Sequence, residues 1–406
     1  MSGSKFLSNR LFSLSKGSLS STVMRLSVAS VALAVTVMLI SMAVVVGFKN
    51  QIRDKVLGFV APIHIQALNR NESFEETAFR LEKRLTQVLD TTEGIKHYQG
   101  VANKAGMIKT DDEIQGVIVK GVGADYDWTY FESSLVAGEI PRYDTARSND
   151  VMVSRLIADR MLLTVGDDVR VWFIDEDMKA RGRKFSVKGI FETGLSEYDE
   201  RYMFCDINQI RKLNHWADDE IGLVEVWLDD VEAMDELSWT LHLNVPGMLT
   251  AYTAKDSNPQ IFDWLALLDT NVWLILGLMF LVAGITVISM LLIIIIEKTS
   301  TIGLLKAMGA TNGFVRKVFL RRSIRILLIG MAIGNAVGLG FCLLQQYTGL
   351  IHLNPETYYL SAVPIELHLT TVIVLNGICF ALWLLMLLIP TSIINRIRPS
   401  KSIRFE

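Results

Sequence analysis

Many residues of this 406-residue chain carry reactive groups, but their spacing does not assemble them. The six histidines, His64, His97, His215, His242, His352 and His368, are scattered without the spacing of metal ligands. Acid pairs such as Asp111-Asp112 and Asp218-Asp219 read as solvated loops. Gly121-Val122-Gly123 follows a strand-like run, yet the dinucleotide fingerprint is incomplete and a turn is the simpler reading. No Gly-rich loop ends in Lys-Ser or Lys-Thr, and Glu297-Lys298-Thr299 lacks the glycines that aim backbone N–H groups at a phosphate. There is no nucleophile elbow. The expectation is a non-enzyme that binds no metal, cofactor or ATP of its own.

The stretch whose residue types do point to work is Glu297 to Thr311, EKTSTIGLLKAMGAT. It is polar and helix-prone, and it lies between two apolar runs long enough to cross a bilayer. Ile302, Leu305 and Met308 recur at helical spacing, Thr299 or Ser300 can cap the N-terminus, and Gly309 suits a C-terminal stop. Gly303 costs roughly 1 kcal/mol against Ala inside a helix, so its use is expected in letting another surface approach the backbone. Two readings fit: a coupling helix gripped by a cytoplasmic partner, or an amphipathic tie resting on lipid headgroups.

The elements that must position this stretch are legible from hydropathy and charge. Half of the chain is apolar, and four runs reach the roughly 20 residues that cross a hydrocarbon core. The expected organisation is an N-terminal cytoplasmic segment 1–25, spans at 26–48, 272–296, 324–346 and 369–391, the coupling helix 297–311, a short outer loop 347–367 and a cytoplasmic tail 394–406. Lys5, Arg10, Lys16 and Arg25 precede the first span; Lys298, Lys306, Arg316, Lys317, Arg321 and Arg322 follow the second; Arg396, Arg398, Lys401 and Arg404 follow the fourth. Positive-inside bias places these segments in the cytoplasm and residues 49–265 outside. The outer region holds about 25 Lys and Arg against about 39 Asp and Glu, a balance that argues against nucleic acid as a partner. The cores of the spans hold essentially no ionisable groups, which argues against an ion-coupled carrier.

Within residues 49–265 the pattern predicts an α+β domain. Ile63 to Leu68 alternates like a strand, and Ser73 with Glu76 forms a capping box for a helix carrying Phe74, Ala78, Leu81, Leu85 and Val88 on one face. Strands follow at Ile95 to Met107 and Ile114 to Val122. A second strand-helix-strand half spans Leu223 to Leu228, Val231 to Leu241 and Met248 to Tyr252, and a β-rich insert at about 125–222 lies between the halves. Glu176 to Arg183, EDMKARGR, is expected as a charged hairpin tip, read either as a partner site or as a solvated turn.

One span, a large outer domain and three further spans, with EKTSTIGLLKAMGAT after the second, resemble the FtsX-like and MacB-like permeases. The chain looks most like the transmembrane subunits of lipoprotein-releasing (Lol type) ABC transporters. Val151 to Arg155 (VMVSR) with Ala158 and Gly166-Asp167, Val187 to Gly194 (VKGIFETG), Ile261 to Trp264 (IFDW) and Ile403-Arg404 agree with it. The resemblance implies a bacterial inner-membrane protein that extracts lipoproteins and hands them to a periplasmic carrier. A separate ATPase dimer, holding ATP and Mg, would grip Glu297, Lys298, Ile302, Gly303, Leu305, Lys306, Met308 and Gly309. A second permease, identical or homologous, would complete a lipid-facing cavity lined by Met38, Met42, Phe48, Phe262, Leu265 and Leu268. The hairpin residues Glu176, Met178, Arg181 and Arg183 stand where some members recruit the carrier, although the hairpin is short here. The alternatives are an FtsX-like relay that controls cell-wall hydrolases and a MacB-like exporter subunit.

Overall fold

The computed structural model describes residues 19–68, 76–110, 113–144, 147–174 and 179–396. They divide into two compact units, one of Met1–Asn50, Leu265–His352 and Ala362–Glu406, the other of Gln51–Trp264 and Leu353–Ser361. The helices of nine or more residues are α1 (Leu19–Phe59), α2 (Lys83–Thr91), α3 (Met234–Asn244), α4 (Pro259–Glu297), α5 (Thr299–Ala307), α6 (Asn312–Thr348) and α7 (Leu369–Thr391). Among the described residues α1, α4, α6 and α7 are long and apolar enough to cross a membrane.

Three of these helices outrun the spans read from hydropathy. α1 continues eleven residues beyond Phe48, α4 begins at Pro259 instead of Val272, and α6 begins at Asn312 instead of Ile324. Hydropathy reports only the lipid-matched part of a helix, whereas straight-chain residues such as Arg316, Lys317 and Arg321 propagate it into water. Thr311 starts α6, its Oγ1 accepting from the Phe314 N–H at 3.3 Å.

In the helical unit α6 packs on α1 through a stripe of glycines. A Cβ at Gly330 would lie 2.8 Å from Val31 Cβ, and one at Gly334 would lie 2.6 Å from the Ala32 carbonyl oxygen. Such close approach is the packing available to helices in lipid, where no hydrophobic force draws them together. Thr36 Oγ1 uses it to donate to the Gly334 carbonyl at 3.0 Å. α6 and α7 are joined by a reciprocal amide pair, Asn335 Nδ2 to Asn376 Oδ1 at 2.7 Å and Asn376 Nδ2 to Asn335 Oδ1 at 2.8 Å. Trp383 is fully buried and stacks on Phe280, centroids 6.1 Å apart.

The strands of the outer unit are β1 (Ile63–Ala67), β2 (Phe79–Arg80), β3 (Ile95–Lys109), β4 (Ile114–Val122), β5 (Leu135–Gly138), β6 (Asp150–Ser154), β7 (Asp168–Ile174), β8 (Ala180–Phe191), β9 (Tyr202–Asp206), β10 (Glu220–Ile221), β11 (Leu223–Leu228) and β12 (Leu249–Thr253). The order β12-β1-β11-β3-β4 interleaves the two expected strand-helix halves in one layer, with α2 against β3 and α3 against β12. The β-rich insert expected at about 125–222 holds β5 to β9 and is continuous with the sheet. β4 continues through β9, β6 and β8 to β7, and β7 pairs back with β3 at Met107↔Trp172, which closes a six-stranded ring. β3, at 15 residues, is long enough to serve both parts.

The helix expected to start with a Ser73–Glu76 capping box begins at Lys83. Ser73 and Phe74 lie outside the described residues, Ala78 and Leu81 precede the helix, and the Glu76 carboxylate turns inward to accept from Asn103 N and Nδ2, both at 2.8 Å. Phe59, at the end of α1, enters an aromatic cluster with Phe131 (5.6 Å), Tyr198 (4.8 Å) and Tyr202 (5.2 Å). The VKGIFETG stretch ends β8 in a turn fastened by Asp199. Its carboxylate accepts from Thr193 Oγ1 at 2.7 Å and from the N–H groups of Thr193 and Gly194 at 3.1 and 3.0 Å. Lys55 donates to the carbonyls of Thr193 and Tyr359, which ties residues 353–361 into this unit. Asp199→Ala strands these buried donors and is expected to destabilise the chain by about 2–4 kcal/mol, read as a lowered thermal midpoint of the full-length protein.

Candidate functional site

The short helix α5 is the stretch the sequence singled out, and its geometry differs from the expected one. Neither Thr299 nor Ser300 caps it. The N-cap is Lys298, without a side-chain cap, because Thr299 Oγ1 donates backwards to the Ile295 and Ile296 carbonyls at 3.0 and 2.7 Å and so completes α4. Lys298 Nζ pairs instead with Glu297 at 3.2 Å.

The C-terminus closes as a Schellman motif. Gly309 N–H donates to the Lys306 carbonyl and Ala310 N–H to the Leu305 carbonyl, each at 3.0 Å. Gly309 has φ of 96°, a left-handed conformation that favours glycine. The chain therefore turns sharply into Thr311 and α6, and α5 ends after nine residues.

The face of α5 also differs from the sequence reading. Ile302 is 1% exposed and belongs to the core cluster that contains Ile295, Val315, Phe319 and Ile394. Gly303 is buried as well, so the surface that approaches its backbone belongs to this chain and not to an external partner. Leu305 and Lys306 are half-buried, and Lys306 Nζ donates to the Ile394 carbonyl at 2.6 Å. The outward stripe is Leu304 and Met308, 55% and 69% exposed, one helical turn apart. Leu304 was not among the expected contact residues. An i, i+4 apolar pair was visible at 304 and 308, but Ile302–Leu305 made an equally good stripe, and periodicity does not say which stripe faces inward.

The expected lipid-facing residues do not form one surface. Met38 is 1% exposed, its sulfur 3.9 Å from Cys379 Sγ, and Leu265 is 3% exposed, so both are interior packing. Met42 lines a crevice of about 10 Å³, room for at most a water. Phe48, Phe262 and Leu268 are half-buried. Of the hairpin residues, Glu176 and Met178 lie outside the described residues. Arg181 and Arg183 are strand residues of β8, in register with Phe173 and Val171, and not part of a loop tip. Backbone pairing with β7 extends the strand past the charged residues. Among the described residues no three His, Cys, Asp or Glu side chains are grouped to hold a metal ion.

Four apolar helices, an α+β unit and a nine-residue helix between the second and third of those four give the architecture of a polytopic membrane protein. The chain belongs to the family of the MacB-like periplasmic core domain, whose model matches residues 25–239, and residues 273–399 match the FtsX-like permease C-terminal domain. It is thus an ABC transporter permease of the FtsX-like and MacB-like type. Similar proteins include the lipoprotein-releasing system transmembrane protein LolC of Xylella fastidiosa, 22% identical over 94% of this chain and 93% of that one. LolC of Neisseria meningitidis serogroup B is 22% identical over 95% of each chain. LolE of Haemophilus influenzae, of the same system, is 21% identical over 95% of each.

Proposed function

We propose that this permease is the transmembrane subunit of an ABC transporter that lifts lipoproteins from the outer leaflet of the inner membrane and passes them to a periplasmic carrier. A separate ATPase supplies the energy, and a second permease, identical or homologous, completes the assembly. Both termini and α5 lie in the cytoplasm, as the clusters of Lys and Arg require, and the outer unit lies in the periplasm. The observation that carries the reading is the geometry of α5: its inner face is locked by Ile302 and by the bond from Lys306 to Ile394, and its outer face offers Leu304 and Met308. A push on that face moves α4 and α6 because the junctions at both ends of α5 are fixed.

The relatives named for lipoprotein release support this cargo, and so does its energetics. Each buried CH₂ is worth about 0.8 kcal/mol, so a multiply acylated protein leaves the bilayer only with work supplied. Met42, Phe48 and Leu268 are half-buried in the single chain, and in this reading they meet acyl chains only once a second permease is in place.

Reconstitution tests this directly. Proteoliposomes holding the permease, its ATPase and an acylated lipoprotein are expected to release the lipoprotein to a soluble carrier on addition of ATP and Mg. Retention of the lipoprotein, with cell-wall or division defects as the first effect of depletion, would favour a signalling relay instead.

A further inference from the structure

The outer unit contains a cavity of about 370 Å³ that the transport reading does not use. The phenol rings of Tyr198, Tyr202 and Tyr252 form part of its wall; His64, Glu76 and Asn103 are among its polar groups, and Glu197 and Arg201 add one charge of each sign. Glu76 takes two hydrogen bonds from Asn103 but, among the described residues, no Lys or Arg pairs with it. The nearby buried cation, Lys120, is committed to Glu225 at 2.6 Å, with both side chains 4% exposed. Asn103 Oδ1 and His64 Nε2 are buried with no hydrogen-bond partner.

Charge in this cavity is unbalanced. Burial pushes Glu76 up to about 7, its Asn103 hydrogen bonds pulling the other way, and burial drives His64 down to about 4, so the imidazole is neutral. Burial first, then the charges of Glu225 and Glu76, raise Tyr202 to about 12, with Arg201 pulling the other way. Burial first, then Glu76, Tyr202 and Glu225, raise Tyr252. With Glu197 and Arg201 of opposite sign and Lys120 committed to Glu225, Glu76 is the unmatched charge beside the tyrosine rings, an arrangement that recognises positive charge.

We propose that this cavity binds a small organic ammonium group, its charge seated between the Glu76 carboxylate and the faces of Tyr198, Tyr202 and Tyr252. The ammonium is either a free amine or the headgroup of a lipid, since both present the same cation.

Calorimetric titration of the full-length protein in detergent distinguishes the sources. The probes are choline, ethanolamine and short-chain phosphatidylethanolamine, with 3,3-dimethylbutan-1-ol as the uncharged isostere of choline. Saturable binding of at least one cation is expected, roughly ten-fold or more tighter than the isostere and weakened by a similar factor in Glu76→Gln. Tighter binding of the lipid than of ethanolamine assigns the headgroup; the reverse assigns the free amine. Tyr252→Leu gives a second reading that keeps the carboxylate, and should weaken binding also if Glu76→Gln fails to fold. Equal binding of choline and its isostere, binding unchanged in both variants, or no saturable binding of any cation would overturn the proposal.

Discussion

Replacing both Leu304 and Met308 by Asp is expected to detach the permease from its ATPase while leaving the fold intact. Both side chains are more than half exposed in the single chain, so the fold does not depend on them. Full burial of an apolar side chain of this size is worth about 1.5–3 kcal/mol, and two such anchors removed and replaced by charge lower the affinity roughly 100-fold or more. Co-purification of the ATPase and ATP-driven lipoprotein release should both be lost, with an unchanged thermal midpoint. Ile302→Asp is expected to do the opposite. At 1% exposure it puts an unpaired charge in the helical core, at a cost of several kcal/mol, and is read as loss of folded protein before any effect on docking can be measured. If Ile302→Asp folded normally and the double variant kept its ATPase, the assignment of faces on α5 would be reversed.

The second large effect is expected at Gly334. Any side chain there meets the Ala32 carbonyl and Val35 Cβ at 2.6 and 2.8 Å, so Gly334→Leu forces α6 away from α1 and removes the hydrogen bond from Thr36. Overpacking of this kind costs about 1–3 kcal/mol, sometimes more. The companion change Gly340→Leu has nothing within 4 Å of its new Cβ and should leave the thermal midpoint in detergent where it was. Equal behaviour of the two variants would mean that the glycine stripe is not a packing seam.

Much of this architecture was legible in the residues, for identifiable reasons. Four apolar runs fix four membrane helices because nothing but a helix satisfies its own backbone in lipid. Strands such as Ile114–Val122 and Leu223–Leu228 stood out because apolar and β-branched residues cluster between turn residues. What stayed hidden depends on long-range pairing. The ring closed by Met107↔Trp172 joins residues 65 positions apart, and no local pattern encodes it. Glu76 followed a capping signature, but a half-buried Asn103 offered its carboxylate two donors and won it for the interior. On α5 the sequence carried two apolar stripes, and only packing of Ile302 against the bundle shows which faces inward. Asn335 and Asn376 were readable as two amides in apolar runs, a signal that each needed the other.

The central claim, that α5 hands force from a nucleotide-hydrolysing partner to the membrane helices, is tested most directly by a photo-crosslinking residue placed at Met308 in the intact cell membrane. The account predicts a crosslink to an ATP-binding protein on the cytoplasmic side, and none from the same probe at Gly340. A crosslink from Met308 to a periplasmic protein, or to lipid alone, would contradict it.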